Sequence, residues 1–221
     1  MVFLDIETTG ITTDDRICAC GVIYEELHQY ELCNNGRKIT PMSSSVHHIT
    51  NEMVADKKPF EQTKAYALLQ QWNDDGEIFV FHNGDFTLSM LSSHNFFPQK
   101  FIDTKRVAQH LIEDCESYSL GFLRYECKLY QKEAQEVAPT ALGDAYVVQL
   151  LFEYLKELVS VEKMCQLSVE PVILQKFSFG KYKGSYIEEV MHNDRGYIEW
   201  LLNQEDLYED LRYSLEYYLG V

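Results

Sequence analysis

The sequence predicts an α/β fold: a mixed sheet flanked by helices, followed by a small C-terminal α+β domain. Three observations carry this. Short apolar runs near the start are joined by a tight polar turn, so the sheet opens with antiparallel strands. Further apolar runs then alternate with helix-length stretches, as strand–helix units do. The composition, 46% hydrophobic and 24% charged over 221 residues, leaves room for one full domain plus an appendage.

Residues 2–6 form an apolar run that ends in charge and read as the first strand. Residues 16–24 (RICACGVIY) and 29–33 follow as strands across a turn at 25–28. The stretch 51–72 reads as helical, 77–81 (EIFVF) as a buried strand and 86–93 as a helix. A brief strand at 101–103 comes next, with Asp103 or Thr104 placed to cap a helix over 105–113. Helices over 120–129 and 140–158 complete a first domain, 1–158. Residues 159–175 are less periodic, contain Pro171 and read as a linker. The second domain, 176–221, is a short extended piece, a glycine-flanked basic turn and then helices. It is near the lower limit for independent stability, which predicts packing on the first domain or on a protein partner.

The net charge of −16, from 35 acidic and 19 basic residues, argues against a protein that grips duplex DNA through many phosphate contacts. It leaves open an enzyme that meets phosphate through bound cations. Six cysteines are scattered without a C-x-x-C pair, which predicts reduced structural thiols rather than a zinc site. The opening MVFLDIETTG has neither a basic n-region nor a long apolar stretch, and no run reaches the roughly 20 apolar residues of a membrane helix. Together these predict a cytoplasmic protein with no membrane partner.

Asp5 and Glu7 close the first strand. Residues two apart on a strand face the same way, so both carboxylates project together, close enough to share a divalent cation. Like charges so placed imply a metal or a shared proton, unless the strand end is simply solvated.

Five segments in order resemble the DEDD 3′–5′ exonuclease family, over about residues 1–156. They are FLDIETTG at 3–10, VHHIT at 46–50, VFHNG at 80–84, FIDT at 101–104 and ALGDA at 141–145. The resemblance implies a ribonuclease-H-like sheet. It also implies two-metal hydrolysis of the terminal phosphodiester, with Mg2+ or Mn2+ held by four carboxylates and a histidine five residues before the last aspartate as general base. By that resemblance Asp5, Glu7 and Asp144 are catalytic metal ligands, and Thr8, His47, His48 and Asn83 lie on the substrate side. The implied partner is a nucleic-acid 3′ end, with single-stranded DNA favoured.

Two positions depart from the family. Its second motif, H-N-x-x-F-D, reads HNGDFT at 82–87, so Thr87 stands at the ligand position and Asp85 two residues earlier. A threonine hydroxyl is a poor substitute for a carboxylate, and Asp85 replaces it only if the turn is reshaped; otherwise Asp85 is a helix cap. Five residues before Asp144 stands Pro139, and the tyrosine used by a related subgroup is absent at Thr140. The sequence therefore predicts weakened or lost activity. Its alternative is a non-catalytic nucleic-acid or protein-binding module that keeps the fold. His47, His48 and His82 are candidate replacement bases, with packing or substrate-side contact as the other reading.

The C-terminal segment FSFGKYKG at 177–184, followed by YIEWL at 197–201, resembles a small F-G-K-x-K-G domain of some bacterial exonucleases. Its glycines permit a turn that displays Lys181, Tyr182 and Lys183, a possible nucleic-acid contact by phosphate cradling and base stacking. The other reading is a turn over a small core of Phe179, Tyr197 and Trp200.

Overall fold

The computed structural model describes residues 1–132 and 140–220. Five strands form one sheet: β1 (Val2–Thr8), β2 (Ile17–Tyr24), β3 (Leu27–Leu32), β4 (Phe79–Phe81) and β5 (Phe101–Asp103). Their order is β3-β2-β1-β4-β5. The first three strands pair antiparallel, while β1–β4 and β4–β5 pair parallel, so the sheet is mixed.

Helices α1 (Pro41–His47), α2 (Asn51–Val54) and α3 (Lys64–Asp74) separate β3 from β4. Then come α4 (Gly84–Ser92), α5 (Thr104–Leu111), α6 (Leu120–Glu126), α7 (Ala141–Lys156) and α8 (Val161–Leu167). The segment 51–72 is not one helix, because Pro59 disfavours helical backbone at the residue before it. A 3-10 turn at Phe60–Gln62 follows, and Thr63 restarts the helix by accepting the Tyr66 N–H at 3.1 Å. Helix α1 was not read from the sequence, although Thr40 caps it and Pro41 opens it, the usual places for those residues. The stretch read as a linker contains α8, capped by Ser160 and tied to β5 by the Asp103 N–H donating to Ser168 Oγ at 2.9 Å. No helix among the described residues is long and apolar enough to cross a membrane.

The two faces of β1 do different work. Val2, Leu4 and Ile6 belong to a core with Phe60, Leu69, Trp72 and Phe96. On the other face Phe3 meets Phe152 of α7 edge-to-face, with ring centroids 5.4 Å apart. Asp5 and Glu7 share that face by strand alternation.

Gly21 lets α7 approach. It pairs with Asp5 across the β1–β2 ladder, and a Cβ there would stand 2.3 Å from backbone atoms of Ala141 and Leu142. The first turn of α7 therefore lies on the sheet beside Asp5, and Asp144 is in that turn.

The chain divides into two compact units, 1–108 with 117–168, and 109–116 with 169–221. In the second, a single antiparallel bridge joins Lys176 to Tyr186, followed by α9 (Ile187–Asn193), α10 (Arg195–Leu202) and α11 (Glu209–Leu219). Its core is Phe177, Ile187, Val190, Ile198, Leu201, Leu211 and Leu215, with Tyr197 packed against it. Phe179 and Trp200, which one reading of the sequence placed in that core, are exposed. On α10, Ile198 and Leu201 supply the inward stripe instead.

Candidate active site

Asp5, Glu7 and Asp144 each offer a carboxylate oxygen, and the three lie within 4.8 Å of one another. They line a cleft of about 420 Å³ at the end of β1, together with Thr87, Asn83 and Arg124. With all three ionised, each pair would repel by about 3.5 kcal/mol or more at an effective dielectric of about 20. Burial, then Asp144, then Glu7 hold the Asp5 carboxyl well above the usual carboxylate range. Burial, then Asp144, push Glu7 up to about 7. Burial also raises Asp144, while the charge of Arg124 pulls it the other way. A hard dication suits this donor set, since it prefers carboxylate oxygens and relieves the repulsion. When bound, such an ion supplies Lewis-acid stabilisation of a phosphoryl oxygen and lowers the pKa of a coordinated water.

The second motif lies at the β4–α4 junction. Asn83 takes a left-handed backbone, φ 70°, before α4, and buried Asp103 holds the junction. The carboxylate of Asp103 accepts the N–H groups of Asn83, Gly84 and Lys105 at 3.0, 2.8 and 2.9 Å. A Cβ on Gly84 would stand 2.8 Å from that carboxylate, so glycine is needed there. The junction aims Thr87, buried, into the cleft. Asp85, about 200° further round the helix, has an 89% exposed side chain 3.8 Å from Arg106 and does not line the cleft.

His47 and His82 are engaged through both ring nitrogens. His47 Nδ1 accepts the Ile49 N–H at 3.0 Å, so its Nε2 is the nitrogen that donates, to the Thr8 carbonyl at 3.2 Å. This ties the end of β1 to the end of α1. His82 is bonded through Nε2 to the Tyr118 carbonyl at 2.8 Å and through Nδ1 to Thr104 at 3.0 Å, and burial drops its pKa to about 4. His48 is exposed, takes a left-handed φ of 61° at the end of α1 and does not line the cleft. That left-handed conformation is the one glycine adopts most readily. Thr8 is buried, donating to the Gly10 carbonyl at 2.7 Å, and does not line the cleft either. Pro139 lies outside the described residues.

In the C-terminal unit, Tyr182 Oη and Lys181 Nζ both donate to Asp194 Oδ2, at 2.7 and 3.0 Å. Asp194 in turn caps α10 by accepting the Tyr197 N–H through its other oxygen. Lys181 and Tyr182 thus close a turn around Asp194, and Lys183 beside them is exposed.

Residues 2–152 match the Exonuclease family, and residues 177–206 match the Exodeoxyribonuclease X-like C-terminal family. This chain belongs to the exonuclease family. Exodeoxyribonuclease 10 of Escherichia coli strain K12 is 27% identical over 186 residues, 83% of this chain and 80% of that protein. Among solved structures, exonuclease X in complex with 5′ overhanging duplex DNA aligns with a TM-score of 0.59 at 23% identity, covering 76% of this chain and 98% of that one. The nuclease domain of 3′hExo, a DEDDh family member, bound to rAMP, aligns at 0.54 and 12%, covering 77% and 96%. These structural likenesses place the mixed sheet among exonuclease folds. In this exonuclease-family chain the residue that sequence reading missed is Arg124. It lies between motifs, and nothing in its local sequence marks it.

Proposed function

We propose that this protein is a 3′–5′ exonuclease with a weakened site, acting on nucleic-acid 3′ ends with Mg2+ or Mn2+ on Asp5, Glu7 and Asp144. The convergence of those three carboxylates carries the reading, with Thr87 at the fourth position. Single-stranded DNA is the favoured substrate, and DNA is supported by the name of the exodeoxyribonuclease relative. Three carboxylates hold one cation well and a second poorly, because Thr87 brings a hydroxyl and no charge. Without the family histidine at 139, turnover falls by about 10²–10⁴. Purified protein should show at most slow, Mn2+-dependent nucleotide release from single-stranded DNA. Robust turnover that disappears on changing Asp5 and Glu7 to alanine would refute the weakened-site reading.

A second reading, a non-catalytic binding module, is favoured by the histidines. Both ring nitrogens of His47 and of His82 are engaged, so neither is free to take a proton from water. No nucleotide release at any Mn2+ concentration, together with retained binding of single-stranded DNA, would support that reading.

A further inference from the structure

Arg124 is the one lysine or arginine that lines the cleft among the described residues. It sits in the last turn of α6, close enough to Asp144 for the two charges to interact. Its guanidinium stands 5.7 Å from the ring centroid of Tyr125, a residue that is 63% exposed. Tyr125 in turn lies 5.6 Å, centroid to centroid, from Tyr130, which is 43% exposed, with their ring planes 36° apart. Arg124, which lines the cleft, and two exposed tyrosines that do not line it thus form one contiguous row. A helix C-terminus favours a cation on its own, but it gives no reason to place two exposed rings beside it.

We propose that Arg124, Tyr125 and Tyr130 form the strand-holding side of the cleft, for the 3′ end of single-stranded DNA. Arg124 takes a non-bridging phosphate oxygen next to the carboxylate cluster, and the two rings take the adjoining bases on their faces. The chemistry suits a chain of net charge −16. Most of its surface repels phosphate, so one directed guanidinium fixes where the backbone enters. Stacking then supplies affinity without selecting sequence, since every base has a π-face. The inference rests on the exonuclease reading of the same cleft and adds the residues that hold the strand.

The test is fluorescence anisotropy of a 5′-labelled oligothymidylate on the full chain in Ca2+ buffer, over a range of salt. Tyr125→Ala and Tyr130→Ala should each weaken binding about 5- to 150-fold. Tyr125→Phe should bind like the parent. Arg124→Gln should reduce the slope of log Kd against log salt by about 0.7. Mn2+ affinity and melting temperature, measured on each variant, establish that the cluster is intact. On the unmodified protein, an oligonucleotide with its two 3′-terminal bases removed to abasic sites should lose the same affinity as the tyrosine variants, whether or not those variants fold. Binding by the parent that ignores the tyrosine changes, the arginine change and the missing bases overturns the proposal alone. A parent that binds Mn2+ but no single strand overturns both the proposal and the exonuclease reading.

Discussion

Two acidic groups of this chain lie in opposite surroundings. In the cleft, Asp5, Glu7 and Asp144 face one another; burial raises all three above their ordinary range, and repulsion adds to it at Asp5 and Glu7. In the C-terminal unit, Asp194 accepts from Tyr182, Lys181 and the Tyr197 N–H, and hydrogen bonds from Tyr182 and then Lys181 hold its carboxyl below the usual range. The second carboxylate is complete within the protein and closes a turn. The first set faces one partly compensating charge, that of Arg124, and has the donor chemistry that a divalent cation would complete. A carboxylate's partners, more than its sequence motif, separate a structural acid from a functional one.

The sharpest break of this contrast is to restore the two residues by which the chain departs from the motifs of its family. Thr87→Asp combined with Pro139→His should raise nucleotide release from single-stranded DNA by about 10² or more, measured by product release in Mn2+. No gain would mean that something besides these two positions has drifted.

Next in size is Gly21→Val, which forces side-chain atoms into the backbone of α7. It should cost on the order of 1–3 kcal/mol in denaturant unfolding and also lose divalent-cation binding, because Asp144 rides on that helix. Stability lost with binding intact would separate the packing from the site.

Acidity should act in opposite senses on the metal-free and metal-bound forms. Glu7 titrates at about 7 in the folded protein against an ordinary 4.5, so the folded state holds the extra proton in that interval. Stability of the metal-free protein from this group is full below about 4.5 and is lost as the pH rises through about 7. Mn2+ competes with the same proton, so its affinity should strengthen from pH 6 to pH 8, read by titration calorimetry. An affinity flat across that range would remove Glu7 from the ligand set.

The smallest effect belongs to the satisfied acid. Asp194→Ala should lower the melting temperature of the C-terminal unit by removing the α10 cap and the anchor of Tyr182, and should leave Mn2+ binding unchanged.

Much of this was legible along the chain, and what was not involves distant residues. Asp5 and Glu7 could be paired from strand alternation alone, and Thr87 and Asp85 sorted by helical period once α4 was placed. Asp144 was legible only through family resemblance, because the contact of its helix with Gly21 joins residues about 120 apart and leaves no periodic trace. The role of Arg124 was hidden for the same reason: α6 reaches the cleft only through tertiary packing. The engaged nitrogens of His47 and His82 are likewise set by partners elsewhere in the chain, which no local pattern announces. Helix α1, by contrast, carried an ordinary Thr-Pro start that sequence reading passed over.

The most direct test is calorimetric titration of Mn2+ at pH 8 into the parent protein and into Asp144→Asn. The parent should bind saturably and the variant should not, and the metal-free variant should melt higher than the metal-free parent because one repulsive charge is gone. Equal affinity in the two proteins, or no binding by the parent, would contradict the claim that these three carboxylates form a cation site.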